Sequence, residues 1–105
     1  MGFMDFLKRN DINSEIANLE EGAVLLDVRE PDEFGAGHIP GAVNAPLSAL
    51  SQFHLPRDKN TPIRVYCLVG SRSRRAVIFL QSQGFTNVKN IGGINFYKGR
   101  IEKND

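Results

Sequence analysis

The residues with the most chemical content run Ile63-Arg64-Val65-Tyr66-Cys67-Leu68-Val69-Gly70-Ser71-Arg72-Ser73, followed by Arg74-Arg75-Ala76-Val77-Ile78-Phe79-Leu80-Gln81. A β-branched and aromatic run stops at the single cysteine of the chain, a short loop with one glycine follows, and helix-forming residues continue to Gly84. The pattern predicts a strand, a tight loop and a helix. Such a loop turns free backbone N–H groups and the positive end of the helix dipole toward whatever it encloses. A thiolate at Cys67 is favoured there, below the free-cysteine pKa of about 8.5. Cys67 is therefore a candidate nucleophile. A cysteine at a strand end can also be a small buried hydrophobe, and it is the glycine, the arginines and the helix start together that weigh toward chemistry.

The first turn of a helix ordinarily favours acidic side chains, yet this one carries Arg72, Arg74 and Arg75 at the positive end of its dipole. An anion is expected to offset them: the Cys67 thiolate, a persulfide, or an anionic substrate in the loop. Arg72 and Arg75, three apart, share a helix face. Taken alone, an arginine cluster reads equally as a solvated surface.

The elements that must position this loop follow from the rest of the chain. Its 105 residues suit one domain with a core of its own, and 41% hydrophobic with 24% charged residues is ordinary for a soluble globular protein. We expect a single domain over 1–105, with a core over about 14–99 and a short N-terminal extension over 1–10. A net charge of +1 gives no broad footprint for nucleic acid or a membrane surface. One cysteine allows no internal disulfide, and no Cys/His cluster has metal-ligand spacing, so neither a structural metal nor another cofactor is expected. The N-terminal residues lack the pattern of a secretory signal and no run is long enough to span a bilayer. The cytoplasm, where a thiol stays reduced, is the expected compartment.

In chain order, Phe3, Met4, Phe6 and Leu7 suggest a short amphipathic turn packed on the domain. Ser14 is a candidate N-cap for a first helix with Glu15 in its first turn, Ile16 and Leu19 on one face and Gly22 as its stop. Ala23–Val28 is a continuous apolar run of strand length, which suits a parallel strand covered on both faces. Pro31 suits the first position of a short helix closed by Gly35 and Gly37. His38-Ile39-Pro40-Gly41 reads as a turn and Ala42–Asn44 as a short strand. Leu47, Leu50 and Phe53 mark one face of a helix over 47–53, and Val88–Ile91 is a last strand before a Gly92-Gly93 turn. Strands alternating with helices predict a three-layer α/β/α domain with a mostly parallel sheet, and such sheets gather ligands at the carboxyl ends of their strands, where Cys67 falls.

Cys67-Leu68-Val69-Gly70-Ser71-Arg72 resembles the Cys-x-x-Gly-x-Arg loop of rhodanese-like sulfurtransferases. Two further stretches extend the resemblance: Leu26-Asp27-Val28-Arg29-Glu30 with Phe34 and Gly37-His38-Ile39-Pro40-Gly41-Ala42-Val43-Asn44, and Asn90-Ile91-Gly92-Gly93. Together they cover roughly Ser14 to Tyr97 in the family's order. Tyr97 stands where the family often has tryptophan, and Leu68 and Val69 where its loop is frequently polar or basic.

The resemblance implies a sulfurtransferase in which Cys67 takes a sulfane sulfur from a small anionic donor such as thiosulfate and carries it as a persulfide to a thiol or cyanide. The backbone of Leu68, Val69, Gly70, Ser71 and Ser73 is expected to cradle the anion and Arg72 to hold the donor's charged end. A thiol acceptor such as a thioredoxin-like protein is the expected partner. Two other classes share these features. A non-enzymatic persulfide carrier or anion-binding module has the same cradle. A cysteine phosphatase or arsenate reductase also places a thiolate before a helix and an arginine, but four residues separate Cys67 from Arg72, one fewer than is typical of such phosphatases. Asp27, Arg29, Glu33 and His38 are expected to serve as ion pairs and turn-fixing groups rather than as acids or bases.

Overall fold

The computed structural model describes residues 11–104, so the N-terminal turn expected around Phe3–Leu7 lies outside the described residues. Four parallel strands form one sheet: β1 (Val24–Asp27), β2 (Val43–Asn44), β3 (Ile63–Cys67) and β4 (Val88–Gly93), in the spatial order β2-β1-β3-β4. Among the described residues three α-helices accompany them: α1 (Ile12–Ala17), α2 (Pro31–Ala36) and α3 (Ser71–Ser82). The described residues also form two 3₁₀ segments, Leu47–Gln52 and Ile94–Phe96. This is the expected α/β arrangement.

Alternation along the central strands sorts the core onto two faces. On one face Leu26, Val28, Ile63, Val65 and Cys67 pack with Leu50 from the first 3₁₀ segment and with Ala76 and Leu80 of α3. On the other, Leu25, Tyr66 and Ile91 pack with Ile12 of α1 and with Ile39. Burial on both sides is what the unbroken apolar run at β1 requires.

Several boundaries differ from expectation, each for a local reason. The N-cap of α1 is Asp11, whose carboxylate accepts from the Ser14 N–H at 3.1 Å while Ser14 Oγ accepts from the Asp11 N–H at 3.1 Å. Ser14 thus closes a reciprocal capping box from inside the helix. The helix stops at Ala17 because Asn18 turns back, its side chain donating to the Ser14 carbonyl at 2.8 Å, well before Gly22. The 47–52 segment is 3₁₀ rather than α, broken at Ala49 (φ −127°). β4 runs on through Gly92 and Gly93, because an extra residue at Ile91 bulges the strand and lets Gly92 and Gly93 pair with Tyr66 and Cys67.

Candidate active site

β1 and β3 are neighbours, so the segments leaving their carboxyl ends lie side by side: α2 after β1 and the Cys67 loop with α3 after β3. Cys67 is the last residue of β3 and its side chain is fully buried. Gly70 is the N-cap of α3, with φ +110°, a conformation that glycine adopts without the strain a Cβ imposes. This folds the loop back on the sulfur. The Gly70 N–H donates to Cys67 Sγ at 3.0 Å, and Ser73 Oγ lies 3.3 Å from the same sulfur. Burial pushes the Cys67 thiol up, but the Ser73 hydroxyl and the N–H groups of Ser73, Gly70 and Val69 outweigh it and leave the thiol below its ordinary value.

The loop rests against the end of β4. A Cβ built on Gly93 falls 2.6 Å from Val69 Cα, so only glycine allows this approach. The Asn95 N–H donates to the Leu68 carbonyl at 3.1 Å, and Asn90 Nδ2 donates to the Gly70 carbonyl at 3.0 Å. Leu68 and Val69 therefore have fixed backbones and outward side chains, 41% and 55% exposed, beside Phe96 at 59%. Between them a shallow cleft of about 360 Å³ opens among Ile12, Val69, Asn90, Ile91 and Phe96. A more apolar cavity of about 320 Å³, lined by Val24, Leu26, Val43, Phe53, Leu55 and Ile63, includes the residues that begin β1 and β3, at the opposite end of the strands from Cys67.

Arg72 is paired with another side chain of the protein. Its two terminal nitrogens reach the two oxygens of Glu33 on α2 at 2.7 and 3.0 Å, so the anion offsetting this arginine is a side chain of the protein itself. The hydrogen bonds from Arg72 hold the Glu33 carboxyl down at about 2. Arg74 and Arg75 are exposed, and among the described residues neither joins an ion pair.

The remaining marked residues brace the scaffold. Arg29 lies on Asp27, Nη2 to Oδ2 at 2.7 Å, both buried, and Nη2 also donates to the Gly37 carbonyl at 2.6 Å. Burial works against the Arg29 charge, but Asp27 more than restores it. His38 stacks on Phe34 with ring centroids 3.8 Å apart, its Nδ1 lies 2.8 Å from the Phe34 carbonyl, and its backbone pairs with Glu102. Among the described residues no group of acidic, His and Cys side chains could hold a metal ion, and no helix is long and apolar enough to cross a membrane.

A buried thiol at a strand end, wrapped by a glycine-capped loop and a following helix in an all-parallel α/β sheet, is the architecture of rhodanese-like domains, and comparison with known proteins agrees. Residues 13–99 match the rhodanese-like domain family, and the chain belongs to it. It is 37% identical over 90 residues to the thiosulfate sulfurtransferase GlpE of Pseudomonas entomophila, covering 86% of this chain and 83% of that one. It is 43% identical over 81 residues to the uncharacterized protein YqhL of Bacillus subtilis, covering 76% and 64% of the two chains. Among solved structures, a rhodanese from E. coli with anions aligns with TM-score 0.66 and 31% identity over 77% of this chain and 98% of that one. The rhodanese-like domain of an Anabaena protein aligns with TM-score 0.76 and 28% identity over 90% and 78%.

Proposed function

We propose that the chain is a sulfurtransferase that carries sulfane sulfur on Cys67. The Cys67 thiolate attacks the outer sulfur of a thiosulfate-like donor; the sulfur–sulfur bond to the sulfite group breaks, sulfite leaves with the electron pair, and a Cys67 persulfide remains. A thiolate or cyanide then attacks the terminal sulfur and takes it, and the Cys67 thiolate is restored, giving ping-pong kinetics. The observation that carries this reading is the sulfur itself, met at 3.0 Å by the Gly70 N–H and at 3.3 Å by the Ser73 hydroxyl. Donors fixed around an anion in advance stabilise it without reorganisation at the moment of reaction. Cys67, Gly70 and Ser73 hold the sulfur in this reading, with the Leu68, Val69 and Ser71 backbone completing the loop.

Arg72 keeps donor capacity beyond the two bonds to Glu33, since a guanidinium has five N–H groups. Its role toward the donor is to contribute positive potential at the loop while Glu33 fixes its direction. The apolar rim of Leu68, Val69 and Phe96 suits an organic or protein thiol as acceptor better than a small hydrated anion. The Arg72–Glu33 pair also favours a second reading, a persulfide carrier loaded by a partner protein, because the arginine best placed to grip a free anion is already occupied.

Intact-protein mass before and after thiosulfate, then after an added thiol, tests both. The enzyme gains the mass of one sulfur atom, loses it to the thiol, and turns over with excess donor and acceptor, whereas Cys67→Ser does none of these. Loading only from a protein persulfide donor selects the carrier, and no loading from any sulfane donor overturns both readings.

A further inference from the structure

We infer that Asn90 is a positioning residue for Cys67, acting through the Ser73 hydroxyl, whose single proton is shared between Oδ1 of Asn90 and Sγ of Cys67. Asn90 lies on β4 where the strand bulges. Its carboxamide makes three contacts: Oδ1 is 2.9 Å from the Gly92 nitrogen and 2.7 Å from Ser73 Oγ, and Nδ2 is 3.0 Å from the Gly70 carbonyl oxygen. The Gly92 N–H can only donate, so the oxygen of the carboxamide faces it and the NH₂ faces the Gly70 carbonyl, which can only accept. The orientation of Asn90 is thereby set by backbone on both sides.

Ser73 Oγ has one proton and three acceptors within reach: Asn90 Oδ1 at 2.7 Å, the Gly70 carbonyl at 3.1 Å and Cys67 Sγ at 3.3 Å. The shortest contact is to Asn90. With the proton committed there, a lone pair of Oγ is left to accept the S–H of a neutral Cys67. When the thiol ionises, its proton leaves for solvent or a base and the hydroxyl turns to donate to S⁻, a charge-assisted bond roughly twice as strong as a neutral one. Asn90 Oδ1 then keeps only the Gly92 N–H. Asn90 therefore both holds the loop through Gly70 and supplies the alternative acceptor against which thiolate formation competes.

The test substitutes Asn90→Asp, which keeps the size and the acceptor oxygen, binds the Ser73 proton more strongly and gives up the Nδ2 bond to the Gly70 carbonyl, and reads the pH midpoint of Cys67 alkylation by iodoacetamide with and without Ser73→Ala. Alkylation reports the thiol whether or not sulfur is transferred, so its outcome is separate from that of the sulfurtransferase reading. Asn90→Asp is expected to raise the midpoint by about one pH unit, a tenfold loss of thiolate below it. In the Ser73→Ala background the same change should move the midpoint less than half as far, what remains being direct repulsion between the two anions and the lost bond to the Gly70 carbonyl. Equal shifts in both backgrounds, or a lowered melting temperature with no shift, overturn the inference. A second reading needs no Asn90 variant. The chain's only S–H stretch in the infrared belongs to Cys67, and in the wild type it should lie below that of Ser73→Ala because the thiol donates to Oγ. An unchanged band means that the hydroxyl proton is not committed to Asn90, and the inference fails.

Discussion

Arg72 and Glu33 meet end to end, Nη1 to Oε1 at 2.7 Å and Nη2 to Oε2 at 3.0 Å, tying the first turn of the helix that follows the cysteine loop to the helix that follows β1. The pair fixes the direction of the first arginine after Cys67 in the chain. Each partner is about one-third exposed, so its net worth after solvent screening is about 1 kcal/mol.

This pair sets an acid limit on stability. The folded-state pKa of Glu33 is depressed to about 2, so the stabilisation is fully present above the unfolded carboxyl value and is lost as pH falls from there through about 2. Glu33→Gln should therefore melt about 4 °C below the wild type at neutral pH. The gap should close as the pH is lowered through the acid range. Thermal melts at a series of pH values check it, and a gap that stays constant into strong acid would mean that the carboxylate charge is not what stabilises.

The thiol of Cys67 should ionise below the free-cysteine value of about 8.5, because the Ser73 hydroxyl and the loop N–H groups outweigh the effect of burial. Alkylation rate against pH measures this directly, and the rising limb of kcat/KM for a sulfane donor should share the midpoint. A midpoint at or above about 8.5 removes the loop from any role in activating the sulfur.

The strand, loop and helix around Cys67 were legible in the sequence because each is coded locally: β-branched residues up to Cys67, one glycine at the turn, and helix formers after it. What acts on that loop from a distance was not. Glu33 is 39 residues before Arg72, and the two meet only because β1 and β3 are adjacent, which no local pattern states. The arginine cluster did signal that an anion was missing, and a search for acidic residues just after another strand end would have reached Glu33. Asn90 carried a weaker signal, a polar residue inside a short strand two places before a glycine pair. Ser14 satisfies the cap preference of α1 as well as Asp11 does. Only the backbone shows which of the two lies outside the helix.

Gly92 and Gly93, adjacent in sequence, should respond differently to alanine. A Cβ on Gly93 meets the backbone of Leu68 and Val69, so the substitution must displace the cysteine loop, at a cost of roughly 1–3 kcal/mol for overpacking and with a large loss of kcat/KM. A Cβ on Gly92 has open space but sits at φ +106°, so its cost, roughly 1–2 kcal/mol, is conformational and should appear in stability more than in turnover. Melting temperature and steady-state kinetics on the two variants separate these effects. Equal kinetic losses would show that the loop does not depend on its contact with Gly93.

The rim should decide the acceptor. Leu68, Val69 and Phe96 present apolar side chains beside a sulfur that is itself buried, so a partner gains by covering them while a hydrated anion gains nothing. Wild-type protein is therefore expected to show modest activity with thiosulfate and cyanide and faster discharge of the persulfide to an organic or protein thiol. Leu68→Arg replaces an exposed apolar group with a cation near the sulfur, without touching the N–H groups that hold it. The donor KM for thiosulfate should fall by about threefold at low salt, which corresponds to about 0.7 kcal/mol, and the gain should shrink as ionic strength rises and the Debye length shortens. Transfer to a protein thiol should slow in the same variant, since part of the apolar contact is gone. Unchanged donor KM, or a wild type that prefers cyanide to every thiol, would locate acceptor choice somewhere other than this rim.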